Sequence, residues 1–252
     1  MMKDNLPKIL EQCLQNNQPD INIITNKLKL PWLKLQMAAP VLTDQYIDST
    51  ETSAYDWRAL WEADLASTQY QVKGWNGNML FGPSNMKEFL TNVGNHKEWT
   101  QNDYDEDCQC KFFRNKFEYS WRVDQQDPIR KWVNQLVDDH DINIVNTYFL
   151  PPGGFVYPHR DYSFFKDGLA KIYIPVQWEL GSRFGMYGVG DIPLAQGDVY
   201  LINNYSLPHW VFNGSTQRRL VISISVNLDT PVLKSAIVDS FRLTFGITDQ
   251  KR

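Results

Sequence analysis

His159 and Asp161 stand two positions apart in residues 157–165, just after a proline-glycine turn. In an extended strand, residues i and i+2 project from the same face, so both side chains can reach one point. An imidazole and a carboxylate are two of the three ligands of the facial triad that holds non-haem Fe(II) with open positions. The chain has four histidines. His209, at the start of a late β-rich segment, is the candidate for the third ligand.

The His-x-Asp spacing alone leaves two interpretations open. Such a triplet arises often by chance, and the competing interpretation is that His159 and Asp161 only form hydrogen bonds near a strand end. The residues that follow His209 favour the metal interpretation, because they add a second feature of the same kind of site.

Arg219 follows His209 by ten residues and begins a segment in which alternation separates two faces. The apolar face is predicted to pack on helices, and it carries Leu220, Ile222, Ile224 and Val226. The smaller, more polar face is predicted to line a cavity, and it carries Arg219, Val221, Ser223 and Ser225. Arg218 then falls on the apolar side, near the strand end. A buried arginine is costly unless an anion pairs with it, and a dicarboxylate bound bidentately would supply that anion.

Residues 170–180 divide in the same way. Lys171 and Tyr173 share one face, whereas Ile172 and Ile174 share the other. A lysine and a tyrosine hydroxyl on a cavity face would suit a second carboxylate group. The alternative for this segment taken alone is a polar stripe that faces solvent.

The elements that must position these residues change character at Asp141. After it, seven short β-rich segments alternate with Gly, Pro and Asn, a pattern typical of a sandwich or closed barrel. Before it, helical signals predominate, from an apolar stripe in residues 6–14 to the helix start at Asp127-Pro128. We therefore predict one domain over residues 1–252: a mostly helical N-terminal region (1–140), a β jelly-roll core (141–228) and a C-terminal helix (229–246) opened by Thr230-Pro231.

Composition excludes several classes of partner. The 252 residues carry a net charge of -4, which argues against a nucleic-acid partner. No apolar run approaches the length of a membrane span, and the polar N-terminus lacks a signal-peptide pattern. The three cysteines, Cys13, Cys108 and Cys110, form no disulfide framework and indicate a reducing compartment. We expect a cytoplasmic protein with a small-molecule or peptide substrate, no nucleic acid and no membrane.

Three segments, taken in order, resemble the aspartyl/asparaginyl β-hydroxylase family, including its bacterial relatives that hydroxylate free proline. They are LPPGGFVYPHRDY, AKIYIPV and GDVYLINNYSLPHWVFNGSTQRRLVISISV, and the resemblance covers residues 143–227. The family consists of Fe(II)- and 2-oxoglutarate-dependent dioxygenases on a double-stranded β-helix. The implied fold class is mainly β with flanking helices, a cupin-like jelly roll, here preceded by a helical N-terminal half.

The resemblance implies roles for the residues that match the family's motif. His159, Asp161 and His209 would bind Fe(II), and Arg219 would hold the distal carboxylate of 2-oxoglutarate. O2 would be the second cosubstrate, and the products would be succinate, CO2 and a hydroxylated substrate. Related halogenases have a small residue at the position of Asp161, so the carboxylate here implies hydroxylation.

Other cosubstrate contacts are implied where this chain departs from the family. Tyr148 stands where the family often has a hydroxyl residue that assists the arginine. Lys171 and Tyr173 replace the usual arginine and histidine, and Ser223 shares the face of Arg219 by alternation. Gln177-Trp178 replaces the family's Thr-Asn in a segment that borders the substrate. We therefore expect the side chains of Tyr148, Lys171, Tyr173 and Ser223 to bind 2-oxoglutarate. The departure at Gln177-Trp178 implies an unusual substrate.

Two other classes of function fit part of this pattern. A cupin-like metal enzyme without redox chemistry, such as an isomerase, would share the histidine-bearing barrel but would not explain Arg219. A non-catalytic jelly-roll module would use some of the nine tryptophans to bind a ligand or a partner. Both predict that 2-oxoglutarate is not turned over.

Overall fold

A computed structural model describes residues 30–52, 72–73, 76–85, 88, 117–159, 169–204, 207–227 and 230–245. Within these ranges the strands are β1 (Trp32–Leu35), β2 (Val72–Lys73), β3 (Asn76–Pro83), β4 (Tyr119–Trp121), β5 (Ile142–Leu150), β6 (Phe155–His159), β7 (Leu169–Gln177), β8 (Ser182–Met186), β9 (Gly190–Asp191), β10 (Val199–Ile202), β11 (His209–Asn213) and β12 (Arg219–Asn227). The helices are α1 (Asp44–Thr52), α2 (Pro128–Val133) and α3 (Pro231–Phe245), with a 3-10 turn at Asp139–Asp141.

The described strands form two antiparallel sheets, so this part of the chain is mainly β. The seven-stranded sheet has the order β1-β10-β7-β12-β5-β3-β4, and the five-stranded sheet has the order β2-β6-β11-β8-β9. Strand β12 lies in the middle of the larger sheet between β7 and β5, and all nine of its residues are buried. A strand buried on both faces needs a partner layer on each side.

The two faces of the seven-stranded sheet pack against different layers. The outer face packs on helices, because Ile222 and Ile224 share one cluster with Ile129 of α2 and Leu233 of α3. The inner face packs on the five-stranded sheet, in a cluster with the buried members Tyr173, Tyr200, Val221, Phe184, Met186, Ile192, Leu194 and Ile202. The alternation predicted for residues 219–226 is therefore confirmed: the aliphatic positions face the helices, and Val221 faces the second sheet.

Two predicted helix starts are also confirmed. The Asp127 side chain accepts hydrogen bonds from the backbone N–H groups of Ile129 (2.9 Å) and Arg130 (3.1 Å), and Pro128 occupies the first helical position of α2. This is the N-cap arrangement that satisfies free donors at a helix start. Helix α3 begins at Pro231 and runs to Phe245.

The expectation of a mostly helical region before residue 141 is not supported. In the described part of that region, β1, β3 and β4 extend the larger sheet and β2 joins the smaller one. The reason is visible at β3, a short apolar run that periodicity alone cannot assign to helix or strand. Its pairing with β5 settles the assignment. A Cβ at Gly77 would lie 2.4 Å from the Thr147 carbonyl oxygen, so a glycine permits this close approach.

Some predictions fall outside the described residues. These are the apolar helical stripe in residues 6–14 and the three cysteines, Cys13, Cys108 and Cys110. The single domain over residues 1–252 stays a prediction. None of the helices in the described ranges is long and apolar enough to cross a membrane.

Candidate metal centre and anion site

His159 and His209 are brought together on neighbouring strands of the five-stranded sheet. His159 is the last residue of β6, His209 is the first residue of β11, and the two are register partners. Their ring centroids are 4.3 Å apart. His209 is buried, whereas His159 is half-buried. Two imidazoles at this separation are close enough to share a metal ion, which prefers nitrogen and oxygen ligands of this kind.

A hydrogen bond to the backbone indicates the tautomer of His159. The Nδ1 atom of His159 lies 2.8 Å from the carbonyl oxygen of Tyr157. A carbonyl only accepts, so Nδ1 carries the hydrogen and the lone pair of the neutral ring is at Nε2. Metal-binding histidines are commonly oriented by such a bond from the other ring nitrogen.

Asp161 and Arg160 lie outside the described residues. The triad of His159, Asp161 and His209 therefore remains a prediction. The structure places two of its three residues, His159 and His209, next to each other.

A row of aromatic rings leads from the histidine pair to the inner face of the larger sheet. The ring of Phe184 is nearly parallel to that of His209, with centroids 5.4 Å apart and an angle of 3°. The same Phe184 ring meets Tyr173 edge to face, with centroids 5.2 Å apart. The histidine pair and Tyr173 are thus joined through one buried side chain in the space between the two sheets.

Arg219 lies at the end of this row and is 3% exposed. Its Nη2 donates a hydrogen bond to the hydroxyl of Tyr173, and its guanidinium carbon lies 4.5 Å from the ring centre of Trp178. No carboxylate among the described residues pairs with Arg219, and its buried Nε has no hydrogen-bond partner there. Burial lowers the pKa of Arg219, and the neighbouring Tyr173 acts in the opposite direction. A buried cation whose Nε has no described partner has a donor that suits an anion.

Tyr173 is suited to take part in that site. Burial raises the pKa of its phenol, and the nearby charges of Arg219 and Lys171 act against this rise. The phenol therefore keeps its proton at neutral pH. Its oxygen accepts from Arg219, so its hydrogen is available to donate to a bound carboxylate.

The other predicted cosubstrate residues share this inner face. Lys171 is half-buried, two positions from Tyr173, and is the register partner of Ser225. Ser223 is 2% exposed and is the register partner of Tyr173. The hydroxyl of Tyr148 accepts a hydrogen bond from Asn146 Nδ2 at 2.7 Å, and Tyr148 packs against the inner cluster.

Arg218 points to the opposite, outer face, as alternation predicts. Its Nε donates to Gln177 Oε1 at 2.8 Å, and its Nη2 lies 3.0 Å from Asp48 Oδ1 of helix α1. Arg218 therefore attaches α1 to the sheet and takes no part in the inner site.

A second group of metal-ligand types exists among the described residues. Asp138, His140 and Asp141 lie around the 3-10 turn, with ligand atoms within 4.8 Å of one another. Asp138 and His140 are exposed, and Asp141 Oδ1 already accepts a hydrogen bond from Asn227 at 2.7 Å. Exposed acidic groups of this kind are common without a bound metal, so this group serves below as a control.

No protein-family model matches the chain, and a search of curated proteins gives no significant match. Among solved structures, the chain is similar to a prolyl-4-hydroxylase from Pseudomonas putida, with 13% identity, 82% of this chain and 95% of that chain covered and a TM-score of 0.37. It is also similar to an oxidoreductase of the 2OG-Fe(II) oxygenase family from Burkholderia pseudomallei, with 12% identity, 69% of this chain and 79% of that chain covered and a TM-score of 0.34. A third similar structure is a cupin domain from Bordetella pertussis, with 19% identity, 36% of this chain and 86% of that chain covered and a TM-score of 0.28. Membership of the aspartyl/asparaginyl β-hydroxylase family stays a prediction, and function is argued below from this chain's own residues.

Two residues of the site were not predicted to belong to it. Phe184 stacks on His209, and the Arg219 guanidinium lies over the ring of Trp178. Alternation in residues 182–186 places Phe184 with Met186 on one face, which is the only signal in the sequence. For Trp178 the signal was its replacement of a family asparagine, which pointed to the substrate and not to the arginine.

Proposed function

We propose that this chain is an Fe(II)- and 2-oxoglutarate-dependent dioxygenase. It would hydroxylate an unactivated C–H bond of an amino acid, a peptide side chain or a similar small polar substrate, with release of succinate and CO2. The observation that carries the proposal is Arg219, a buried guanidinium with no described carboxylate partner, joined by aromatic contacts to a pair of histidines.

The donor set fits the proposed metal. His159 and His209 offer two imidazole nitrogens from adjacent strands, and Asp161, two positions after His159, would add the carboxylate of a facial triad. Iron held in this way would supply the oxidative chemistry, because three ligand positions would remain for 2-oxoglutarate and O2.

The residues of the chain would bind and orient the cosubstrate. Arg219 would pair bidentately with the distal carboxylate, because its edge donors suit two parallel hydrogen bonds. Tyr173 would donate its phenol hydrogen to the same carboxylate and hold Arg219 in place. The surrounding inner cluster excludes water, which strengthens both interactions.

The arginine also separates this proposal from its main alternative. A non-redox cupin enzyme would use the histidine pair, but it would give no role to a buried guanidinium. The inner face would then carry an uncompensated charge, which is strongly unfavourable.

A succinate-release screen tests the proposal. The full-length protein is incubated with Fe(II), O2, 2-oxoglutarate and a panel of amino acids and peptides, and succinate and hydroxylated product are measured. We expect stoichiometric formation of both with at least one substrate, and none when Fe(II) is replaced by Zn(II). Binding of metal without any 2-oxoglutarate binding would contradict the proposal and favour the cupin alternative.

A further inference from the structure

Trp178 lies against the guanidinium of Arg219 on the inner face. The ring centre is 4.5 Å from the guanidinium carbon. Gln177 is the register partner of Leu220, so the next residue, Trp178, comes opposite Arg219. We propose that Trp178 is a specificity-determining residue: it fixes the arginine by one face and closes the pocket behind the distal carboxylate. This inference rests on the proposed function and adds to it a residue that selects the length of the 2-oxo dicarboxylate.

The stacking leaves the hydrogen-bonding edge of Arg219 available. A guanidinium interacts with an aromatic ring through its flat face and with carboxylates through its edge. The guanidinium carbon of Arg219 lies over the Trp178 ring. On the edge, Nη2 donates to Tyr173, and the buried Nε has no partner among the described residues. The indole therefore contacts the guanidinium without competing with an anion for its donors.

Trp178 is itself held in position, so it can act as a fixed wall. Its backbone N–H donates to Gln196 Oε1 at 3.1 Å. Beside it, Gly197 N donates to the carbonyl of Pro175 at 2.8 Å, which ties the end of β7 to the turn before β10. The indole packs against the inner cluster.

The burial of Arg219 is unusual for its place in the strand. Arg219 is the first residue of β12, where a long side chain would ordinarily reach solvent, yet it is 3% exposed. The indole of Trp178 and the ring of Tyr173 both lie against the guanidinium and contribute to this shielding. A wall at that point limits the space beyond the arginine, so a dicarboxylate with one more methylene would meet Trp178.

The proposal predicts a change in both affinity and selectivity. Loss of the cation–π contact is expected to weaken 2-oxoglutarate binding about 2- to 30-fold in Trp178→Ala. A pocket discriminates one methylene by about 10- to 200-fold. We therefore expect wild type to prefer 2-oxoglutarate over 2-oxoadipate, and Trp178→Ala to reduce that preference by about tenfold or more. Trp178→Phe keeps a smaller ring and should lie between the two.

The test is the dissociation constant of each 2-oxo acid, measured by calorimetry on the full-length Fe(II)-loaded protein without O2. The control is Trp132→Ala, because Trp132 is also partly buried but packs in the outer core and donates to the Ala38 carbonyl at 2.8 Å. We expect Trp132→Ala to leave the ratio of the two constants within about twofold of the wild-type ratio. A roughly twofold change is also the smallest effect expected when a cation–π contact is lost.

Three results would overturn the inference. The first is a Trp178→Ala protein whose two constants and their ratio match wild type. The second is an equal change of the ratio in Trp132→Ala, which would indicate general loosening. If Trp178→Ala does not fold, the test uses Trp178→Phe. The third result is a Trp178→Phe protein in which the ratio of the two dissociation constants is the same as in wild type. Wild type that binds no 2-oxoglutarate would instead refute the proposed function, and the inference with it.

Discussion

Arg218 and Arg219 are neighbours in sequence but lie in opposite environments. The Arg218 side chain is 19% exposed, and Asp48 supplies a carboxylate 3.0 Å from its Nη2. Arg219 is more deeply buried, and its described partners are a phenol and an indole. The outer arginine is balanced by an acid of the protein itself. The inner arginine has no such acid in the described part of the chain, and we therefore propose that its partner is an anion that arrives from solution.

The same difference extends over the two faces of the seven-stranded sheet. The outer face is aliphatic and meets helices, as Ile172, Ile222 and Ile224 show. The inner face carries hydroxyl groups at Tyr173 and Ser223 among its apolar residues. A purely structural sandwich would gain more from apolar residues there, because buried polar groups are costly when they are not satisfied. On our proposal the inner face combines packing with ligand binding, whereas the outer face serves packing.

The largest effect is expected at the metal centre. His209→Ala should remove one of two adjacent imidazoles and reduce succinate formation to background, together with a loss of metal affinity greater than the roughly 10- to 100-fold typical for outer partners of metal ligands. The measurement is metal content after dialysis, alongside turnover. His140→Ala, in the exposed group near the 3-10 turn, should change neither. If the His140 variant loses metal and the His209 variant retains it, the metal binds at that exposed group and not at the histidine pair.

Asp161→Ala tests the ligand that lies outside the described residues. The variant should lose hydroxylation by more than about 100-fold while the fold is spared, because a metal ligand contributes charge and geometry more than packing. Turnover and circular dichroism are measured on the same preparation. A collapse of the dichroism signal at room temperature would support the structural interpretation of the His-x-Asp triplet.

A smaller effect is expected for Tyr173→Phe, which removes a hydroxyl from the inner face. Hydrogen bonds to charged groups contribute about 1.5–3 kcal/mol, so the dissociation constant of 2-oxoglutarate should rise about 10- to 100-fold. Burial raises the pKa of Tyr173, so the phenol stays protonated and the difference should be constant from about pH 6 to 9.

Tyr200→Phe is the matched control for that variant. Tyr200 lies in the same inner cluster, but its hydroxyl accepts from Ala195 N at 3.0 Å and contacts Asp198. Loss of the Tyr200 hydroxyl should lower the stability of the protein, because it removes hydrogen bonds within the protein. The dissociation constant of 2-oxoglutarate should stay within about twofold of wild type, because those bonds do not reach the ligand. Equal changes in the two variants would mean that the inner face responds to any lost hydroxyl.

Much of this arrangement could be predicted because strands alternate with a strict period of two. Alternation placed Ile222 on the outer face, put Arg219 and Arg218 on opposite sides and grouped Lys171 with Tyr173. It could not show that Phe184 stacks on His209 or Trp178 on Arg219, because such contacts depend on register between strands far apart in sequence. A β-bulge between His209 and Val211 adds a displacement that no single segment reveals. β3 was missed because short apolar runs do not distinguish strand from helix.

The central claim is tested most directly by 2-oxoglutarate binding to wild type, Arg219→Ala, Arg219→Lys and Arg218→Ala. The anaerobic Fe(II)-loaded proteins are titrated, and the metal-to-ligand charge-transfer absorbance is followed. Loss of one partner of a buried charge pair costs about 2–5 kcal/mol, so Arg219→Ala should weaken binding about 30- to several-thousand-fold, with Arg219→Lys intermediate. Arg218→Ala removes an ion pair on the outer face, whose acid Asp48 is exposed, and should change binding less than about twofold. Equal effects at the two positions, or none at Arg219, would contradict the account.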